Sequence, residues 1–368
     1  MIRTMSHGVY VHLPFCAVHC TYCAFAISTD LSLQAEYAEA VLREIDARGR
    51  GERVTSLYLG GGTPSRTDRA LLARMIARIR ERFDVAADAE ISMEANPEDV
   101  TAEALDGWRA LGINRLSIGV QSFDEGELRA IGRAHDRARA LEAVSLAVAS
   151  GIRTNLDLIL GLPEQTRASF LATLATAVEL GAGHLSLYML DLEERSPLEA
   201  QVARGRVTLP DDVFVADAYL EAVEFLARHG LHQYEISNFA RPGQECLHNL
   251  RYWTRGAYAG LGLGAHSFDG AERFANTRDI RRYIAASPAA REFHEQLGDD
   301  EVRREAIFLG LRQTSGIDYE ALVRLCGQEA IAWTERGLAE GWLHRVDGSV
   351  AFTPAGFLQS NELISRLF

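Results

Sequence analysis

Three cysteines near the start of the chain have a spacing that suits metal chemistry. Cys16, Cys20 and Cys23 form the pattern C-x3-C-x2-C directly after a short run of β-forming residues. Thiolates bind zinc and iron–sulfur clusters. A zinc site would need a fourth ligand, for which His12 or His19 is a candidate. A [4Fe-4S] cluster on three cysteines would leave one iron open to a small molecule, and buried cysteines without function are the third interpretation.

Further polar and glycine residues stand where predicted strands end. The run Gly60–Pro64 follows the second predicted strand, and its glycines would let the backbone approach a ligand closely. Glu94 ends the third strand, where its carboxylate can accept hydrogen bonds from ribose hydroxyls, and Gln121 ends the fourth. Asp157 lies inside the apolar fifth strand, where an acid is costly unless it is paired, and Arg133 is one candidate partner. The alternative interpretations are a simple turn for the glycine run and a structural ion pair for Asp157 and Arg133.

A segment near residue 250 combines groups that suit a flat aromatic ligand. The run His248-Asn249-Leu250-Arg251-Tyr252-Trp253 offers an imidazole for iron, aromatic faces and a guanidinium for a carboxylate. Cys246 is a rival iron ligand, and a histidine beside aromatic residues is also a common structural feature. The glycine-rich loop from Gly260 carries His266. This loop can equally be interpreted as a tight turn without a role in ligand binding.

Six βα units are predicted to position these residues. Candidate strands begin at Val9, Ser56, Ala89, Arg115, Arg153 and His184. Between the first two, Tyr37, Val41, Leu42 and Ile45 fall on one helical face. Six such units form an open doubly wound sheet or a partial (β/α)8 barrel, and periodicity does not choose between them. Both place chemistry at the carboxyl ends of the strands.

The remainder of the chain shows a different pattern. A helix is predicted from Asp211 to His229, and a Pro- and Gly-containing stretch after it predicts a boundary or a long loop. Residues 300–368 are predicted to form helices, a hairpin that turns at Asp347-Gly348 and a last helix from Pro354. Together these elements resemble a small α+β winged-helix-like module. We therefore expect three parts, 1–240, 241–299 and 300–368. Acidic residues outnumber basic ones in the last part, which favours packing or docking over DNA binding.

Composition limits the class of protein. The 368 residues include 38 Lys and Arg against 51 Asp and Glu, a formal charge of −13 that argues against nucleic acid as a partner. The sequence has neither the apolar segment of a signal peptide nor a membrane span, so a cytoplasmic protein is expected, with peripheral membrane contact left open. Five cysteines, three of them clustered, favour metal binding or redox chemistry over a disulfide framework.

Taken in order, the cysteine loop and the strand-end residues resemble the radical S-adenosylmethionine (SAM) superfamily. The resemblance implies an incomplete (β/α)6 barrel in which Cys16, Cys20 and Cys23 hold a [4Fe-4S] cluster. The open iron would chelate SAM, and one electron would cleave SAM into methionine and a 5′-deoxyadenosyl radical. Tyr22, just before the last cysteine, would pack on the adenine of SAM.

Within the superfamily the sequence resembles two related families, the oxygen-independent coproporphyrinogen III oxidases and the HemW haem chaperones. Matching motifs imply that Tyr10, Gly61 and Glu94 contact the SAM on the cluster. The oxidases bind a second SAM, so a second site here is left open; the matching positions in this chain are Gly62, Thr63, Gln121, Arg133 and Asp157.

Three features favour the chaperone family. The oxidases carry a further cysteine two positions after the third cluster cysteine, where this chain has Phe25, and they carry a long segment before the first strand, where this chain has nine residues before Tyr10. The motif H-N-x-x-Y-W from His248 is a signature of the chaperones.

The resemblance therefore implies haem binding and haem delivery to haem-requiring proteins, with His248 as a haem ligand and no catalytic residue assigned. SAM cleavage in function is left open. The alternatives are a coproporphyrinogen oxidase, another porphyrin-modifying radical SAM enzyme, and a zinc-stabilised binding protein.

Overall fold

Six parallel strands form the centre of the protein. The structure is a computed structural model in which residues 6–192, 194 and 196–368 are described. The strands are β1 (His7–Leu13), β2 (Arg53–Gly61), β3 (Asp84–Ala95), β4 (Arg115–Gln121), β5 (Arg153–Leu160) and β6 (His184–Met189). The last three begin at the predicted residues. Runs of apolar and β-branched residues between polar and glycine residues mark these strands in the sequence.

The order of these strands decides the type of α/β fold. They pair in the sequence β1-β2-β3-β4-β5-β6, all parallel and without a reversal. A doubly wound sheet reverses its strand order, whereas a barrel adds each strand beside the previous one. No pairing between β6 and β1 occurs in the described part of the chain. The structure thus confirms the α/β fold class and the incomplete (β/α)6 barrel.

Helices cover the outside of the strands. They are α1 (Gln34–Arg48), α2 (Arg69–Arg82), α3 (Ala102–Ala110), α4 (Glu125–Ala130), α5 (Arg137–Ala149), α6 (Arg167–Glu179), α7 (Pro197–Ala203) and α8 (Asp212–Arg228). Tyr37, Val41, Leu42 and Ile45 of α1 are buried, as the periodicity predicts. Side chains accept backbone N–H groups in the first turns of α2, α5 and α6, which fixes where these helices begin; the capping residues are Asp68, Asp136 and Thr166.

Short strands extend the sheet on both sides. Beside β6 lie β7 (His232–Glu235) and β8 (Asn238–Ala240); beside β1 lie β9 (Tyr258–Leu261), β10 (His266–Phe268), β11 (Glu272–Asn276) and β12 (Arg291–Gln296). Between them are α9 (Leu247–Trp253) and α10 (Ile280–Ala286). The stretch predicted as a long loop after α8 instead contains β7, β8 and α9. Strands of three or four residues are too short to show a period in the sequence, and the predicted boundary stays a prediction.

Residues near the C-terminus form a compact group of short elements. These are α11 (Asp299–Gly310), β13 (Ile317–Asp318), α12 (Tyr319–Cys326), α13 (Gln328–Glu340), β14 (Leu343–Val346), β15 (Ser349–Phe352), α14 (Pro354–Leu358) and α15 (Ser360–Ser365). The predicted hairpin is confirmed, since Asp347 and Gly348 join β14 to β15 with positive φ angles of 45° and 84°. Trp333, Trp342 and Phe352 belong to a hydrophobic core of this region. The three-part division of the chain stays a prediction.

One buried carboxylate fastens the added strands to the barrel. Glu44 of α1 is fully buried and lies 2.5 Å from the Arg48 guanidinium. It accepts hydrogen bonds from the Gly262 N–H, the Asn276 amide and the Tyr283 hydroxyl at 2.9, 2.9 and 2.6 Å. These partners lie in the β9–β10 loop, in β11 and in α10, so a single side chain positions three elements beside β1.

Among the described helices, none is both long and apolar enough to cross a lipid bilayer.

Candidate functional site

A cavity of about 1080 Å³ opens at the carboxyl ends of the barrel strands. Parallel sheets bind ligands at this edge, because side chains and loops from several strands converge there. Every residue predicted for the cluster or for SAM lines this cavity, whereas His248, Cys246, Arg251 and Trp253 of the predicted haem segment do not. The lining includes Tyr10, Cys16, Cys20, Tyr22, Cys23, Gly61, Gly62, Thr63, Glu94, Gln121, Arg133 and Asp157.

The three cysteines lie in the loop after β1 and are partly buried. The Cys16 backbone N–H donates to the Ser28 carbonyl at 3.0 Å, which fixes the start of the loop. Burial raises the pKa of Cys16 to about 11 and raises that of Cys23. Both thiols therefore carry their protons at neutral pH until a metal displaces them, because metals bind the thiolate form.

A chain of polar contacts connects two of the cysteine sulfurs. The Thr63 hydroxyl donates to Cys16 Sγ at 3.4 Å, and the Asn96 amide donates to Thr63 Oγ1 at 3.4 Å. Asn96 Oδ1 accepts from Arg133 Nη2 at 2.9 Å, and Arg133 Nη1 donates to Cys20 Sγ at 3.5 Å. Sequence reasoning missed Asn96, although its place two residues after Glu94 at the end of β3 was a signal.

The donor set fits an iron–sulfur cluster better than a zinc ion. Zinc requires its ligand atoms to converge within about 2.3 Å of one point. In the described part of the chain, no group of three His, Cys, Asp or Glu side chains converges in this way. A four-iron cluster places each thiolate on a separate iron, so its cysteines stand further apart.

Two further observations indicate a cradle beside the cysteines. A side chain at Gly62 would place a Cβ 2.6 Å from the Pro14 carbonyl carbon and 3.0 Å from Cys16 Sγ, so only glycine leaves this space open. The Arg133 Nε is buried without a hydrogen-bond partner among the described residues. Arg133 also contacts Cys20 through Nη1, and an unsatisfied buried donor on such a side chain suits an anionic group such as an iron–sulfur cluster.

Glu94 lines the same cavity and is held by two donors. The Gly61 backbone N–H and the Tyr58 hydroxyl donate to its carboxylate at 2.9 and 3.0 Å. Gly61 has φ of 120°, a conformation that favours glycine. Burial and the nearby Asp157 carboxylate raise the pKa of Glu94 to about 7. This glutamate thus changes charge near neutral pH.

Tyr10 and Asp157 both line the cavity. The Tyr10 hydroxyl donates to His12 Nδ1 at 3.1 Å, while His12 Nε2 donates to the Ala26 carbonyl at 2.9 Å. Asp157 accepts from the Ser117 hydroxyl at 2.9 Å and from the Asn155 amide at 2.8 Å. Both carboxylate oxygens therefore face neutral donors.

The predicted ion pair between Arg133 and Asp157 is wrong. Arg133 instead donates to the Gly119 carbonyl at 2.7 Å and to Asn96 and Cys20. Among the described residues Asp157 forms no ion pair, and burial raises its pKa. Neutral hydroxyl and amide donors stabilise this acid within the strand, a solution that residue types alone did not indicate.

Gln121 and Tyr22 reach the cavity in different ways. Gln121 has φ of 67°, and the pairing of β4 with β5 shifts register between Gly119 and Gln121. Such a bulge redirects a side chain at some cost in backbone strain, an arrangement common at binding sites. Tyr22 packs beside an apolar cluster that contains Ile131 and Ile159. Its ring therefore has both an apolar support and a face on the cavity.

His248 lies behind the cavity rather than in its wall. Its side chain is 1% exposed, and its ring stacks on Tyr58 with centroids 5.3 Å apart. Nδ1 lies 2.9 Å from the Ser56 hydroxyl and Nε2 lies 2.8 Å from the Tyr252 hydroxyl. Burial, with Arg251 nearby, lowers the pKa of His248 to about 3. Both ring nitrogens of this neutral imidazole are thus engaged with protein hydroxyls.

The other residues of the predicted haem segment differ in whether they reach the cavity. Cys246 is fully buried, its Sγ lies 3.5 Å from a Glu90 carboxylate oxygen, and burial raises its pKa to about 11. Arg251 donates to the Ser6 carbonyl and to Thr55 Oγ1, each at 2.6 Å. Tyr252 does line the cavity. The assignment of His248 as a haem ligand stays a prediction.

Comparison with known proteins places this geometry in a family. A sequence profile described as the radical SAM superfamily matches residues 10–177. Heme chaperone HemW of Synechocystis is 36% identical over 332 residues, which are 86% of this chain and 81% of that protein. Heme chaperone HemW of Escherichia coli is 33% identical over 380 residues, 99% of this chain and 98% of that protein. The chain belongs to the HemW family. This confirms the family that the motifs predict.

A solved structure supports the same placement. The coproporphyrinogen III oxidase HemN from Escherichia coli, a radical SAM enzyme, matches with a TM-score of 0.85 and 27% identity. The match covers 99% of this chain and 90% of that one. This chain and that oxidase thus share one fold.

Glu94 gives the HemW-family cavity a testable pH dependence. Below pH 4.5 the carboxyl is protonated in both folded and unfolded protein. Between pH 4.5 and about 7 the unfolded chain releases this proton while the folded protein retains it, so stability falls as pH rises. We compare cluster-loaded protein without SAM. At pH 8 the free energy of unfolding of Glu94→Gln is expected to be about 1 to 3 kcal/mol larger than that of the wild type, and at pH 4.5 the two values are expected to be similar.

Urea titrations at both pH values measure this difference. Glu103→Gln is the matched control, because Glu103 lies on α3 with a side chain that is 88% exposed. An equal gain at both pH values would show that Glu94 does not retain its proton near neutrality.

Proposed function

We propose that this protein binds haem and delivers it to haem-requiring proteins, and that it carries a SAM-binding [4Fe-4S] cluster on Cys16, Cys20 and Cys23. One observation carries the proposal: a single cavity brings the three thiols together with Tyr10, Gly61 and Glu94 and extends well beyond them. The curated relatives named heme chaperones support the haem part.

The cavity residues take distinct roles in this proposal. When bound, the cluster supplies an open iron for the amino and carboxylate groups of SAM and an electron for its cleavage. Glu94 accepts hydrogen bonds from the ligand, while Gly61 lets the ligand approach the backbone. Tyr10 bounds the site beside β1, and Tyr22 offers an aromatic face to adenine.

The proposal also includes a second SAM site, which is described in less detail. Its residues by resemblance are Gly62, Thr63, Gln121, Arg133 and Asp157. Thr63 and Arg133 contact Cys16 and Cys20 directly, which supports a role in holding the cluster as well. The number of SAM molecules bound per cluster, measured by equilibrium dialysis, distinguishes one site from two.

Haem transfer tests the proposal directly. Protein reconstituted without oxygen is expected to bind ferric haem saturably and to bind SAM. It is then expected to pass haem to an apo-haemoprotein faster than a non-specific carrier such as serum albumin does, because a chaperone must release its cargo. Spectra of the acceptor follow the transfer. Wild-type protein with an intact cluster and no saturable haem binding would end the chaperone proposal.

The fold shared with HemN favours one second candidate, coproporphyrinogen III oxidation. We propose that this reaction does not occur, because the exposed Phe25 stands where the oxidases carry a further cysteine. Anaerobic incubation with coproporphyrinogen III, SAM and a reductant, followed by mass analysis, is expected to leave the porphyrinogen intact. Loss of two carbon dioxide molecules per porphyrinogen would assign the chain to the oxidases instead.

A further inference from the structure

Three segments distant in sequence meet at the mouth of the cavity. The segment after the third cysteine contains Ala24 and Ala26, and the Ala24 carbonyl accepts from Arg278 Nη2 at 2.8 Å. A Cβ placed on Gly264, in the β9–β10 loop, would lie 3.6 Å from Ala26 Cβ, which is ordinary packing distance. The mouth is therefore built jointly by the cysteine loop, by the loop before β10 and by the connection from β11 to α10.

Two aromatic rings are exposed at this mouth. Phe25 is 70% exposed and Phe293 is 41% exposed, and both line the cavity. Exposed phenyl rings on the rim of one cavity mark a site for an apolar ligand more than scattered surface residues do. The cavity exceeds the upper end of the roughly 300–1,000 Å³ range for one drug-sized ligand.

His266 is the imidazole that this mouth presents. It begins β10, it is exposed and it lines the cavity, with its ring centroid 6.1 Å from that of Phe293. No hydrogen bond to its ring occurs within the described residues. Burial of one side, together with Arg273 and Arg278, lowers the pKa of His266, so the ring is neutral and offers a lone pair. His248, in contrast, is 1% exposed and has both nitrogens engaged.

Arg278 is an exposed cation beside this imidazole. Its guanidinium donates to the Ala24 carbonyl and forms no ion pair among the described residues. Arg273, the other nearby arginine, is already paired with Glu295 and Glu305. The Glu292 carboxylate also lines the mouth and accepts the Arg278 backbone N–H at 3.1 Å. The Arg278 guanidinium thus has donors available for a carboxylate of a ligand.

We propose that ferric haem docks at this mouth with His266 as an axial iron ligand, Phe25 and Phe293 against the porphyrin ring, and Arg278 at a propionate. The inference rests on the proposed function and deepens it by placing the iron at the mouth rather than at His248. A single axial ligand at the open rim also suits the release of haem, because the porphyrin can dissociate without any opening of the barrel.

Haem titrations of cluster-loaded protein test the ligand. His266→Ala is expected to weaken ferric haem binding about tenfold or more and to shift the Soret band. His248→Ala and Cys246→Ser are expected to keep the wild-type Soret band. His294→Ala is the matched control, because His294 lies next to Phe293 in β12 with a side chain that is 55% exposed.

A His266 variant with wild-type spectrum and affinity, together with a shifted spectrum in the His248 or Cys246 variant, would overturn the inference and leave the proposed function standing. Absence of haem binding by wild-type protein would instead remove the proposed function itself.

A second measurement addresses the propionate contact without altering His266. Arg278→Gln is expected to weaken haem binding about tenfold, since a charge-assisted hydrogen bond is lost. The same variant is expected to bind haem dimethyl ester as wild type does, because the ester has no carboxylate. An equal loss of affinity for haem and for its ester would contradict the placement of a propionate at Arg278.

Discussion

Replacing Cys16, Cys20 and Cys23 together by alanine is expected to remove all bound iron and inorganic sulfide, from about four of each per chain after anaerobic reconstitution to background. The three thiols line one cavity, and Cys16 and Cys20 are connected through Thr63, Asn96 and Arg133. Without thiolates the site offers no ligand for iron, so saturable SAM binding is expected to disappear with the cluster.

Chemical analysis of iron and sulfide, with the visible absorption of the cluster, measures this loss. Cys326→Ala is the control, because Cys326 lies in α12, which packs in the separate C-terminal core. Stoichiometric zinc without sulfide in the wild-type protein would contradict the cluster assignment, and so would a full complement of iron in the triple variant.

Replacing Glu44 by alanine is expected to lower the free energy of unfolding by about 3–5 kcal/mol. The substitution leaves the Arg48 guanidinium buried without its partner, and it removes the acceptor of the Gly262, Asn276 and Tyr283 hydrogen bonds. Urea unfolding measured on the cluster-loaded protein gives the difference.

Glu39→Ala on the same helix is the comparison for this prediction. Glu39 pairs with Arg74 at 2.8 Å, but both side chains are about half exposed. An exposed pair of this kind contributes only about 0–1 kcal/mol. Similar losses in the two variants would show that Glu44 does not hold β9, β11 and α10 to the barrel.

If the Glu44 prediction holds, the position of His266 depends on a buried residue that does not itself line the cavity. Glu44 holds Gly262 and Asn276, which flank β10 on either side along the chain. Weakened haem binding by the Glu44 variant, with the cluster retained, would connect the packing of the added strands to the cavity mouth.

Local features of the sequence were sufficient for the strands and for the cysteines. Buried parallel strands appear as apolar runs, so Arg115, Arg153 and His184 mark the starts of β4, β5 and β6 directly. The cysteine spacing is also local, since all three residues lie in one loop. The predicted residues at the strand ends meet at one cavity because parallel strands present their carboxyl ends at the same edge.

Side-chain pairing was not accessible in the same way. Charge alone offered Arg133 as one candidate partner of Asp157, whereas the structure gives Asp157 the Ser117 hydroxyl and the Asn155 amide. Residue types show that a buried acid needs a donor, but several donors satisfy that need equally. Which donor is near depends on the register between β4 and β5.

The sequence by itself determined the βα alternation, the cysteine loop and the family. Only the tertiary structure decided the strand order, the burial of His248 and the meeting of Phe25, His266 and Phe293 at one mouth. The physical reason is distance along the chain. Periodicity and spacing report interactions between residues a few positions apart, whereas these contacts join segments separated by most of the barrel, and only the packing of the complete sheet brings them together.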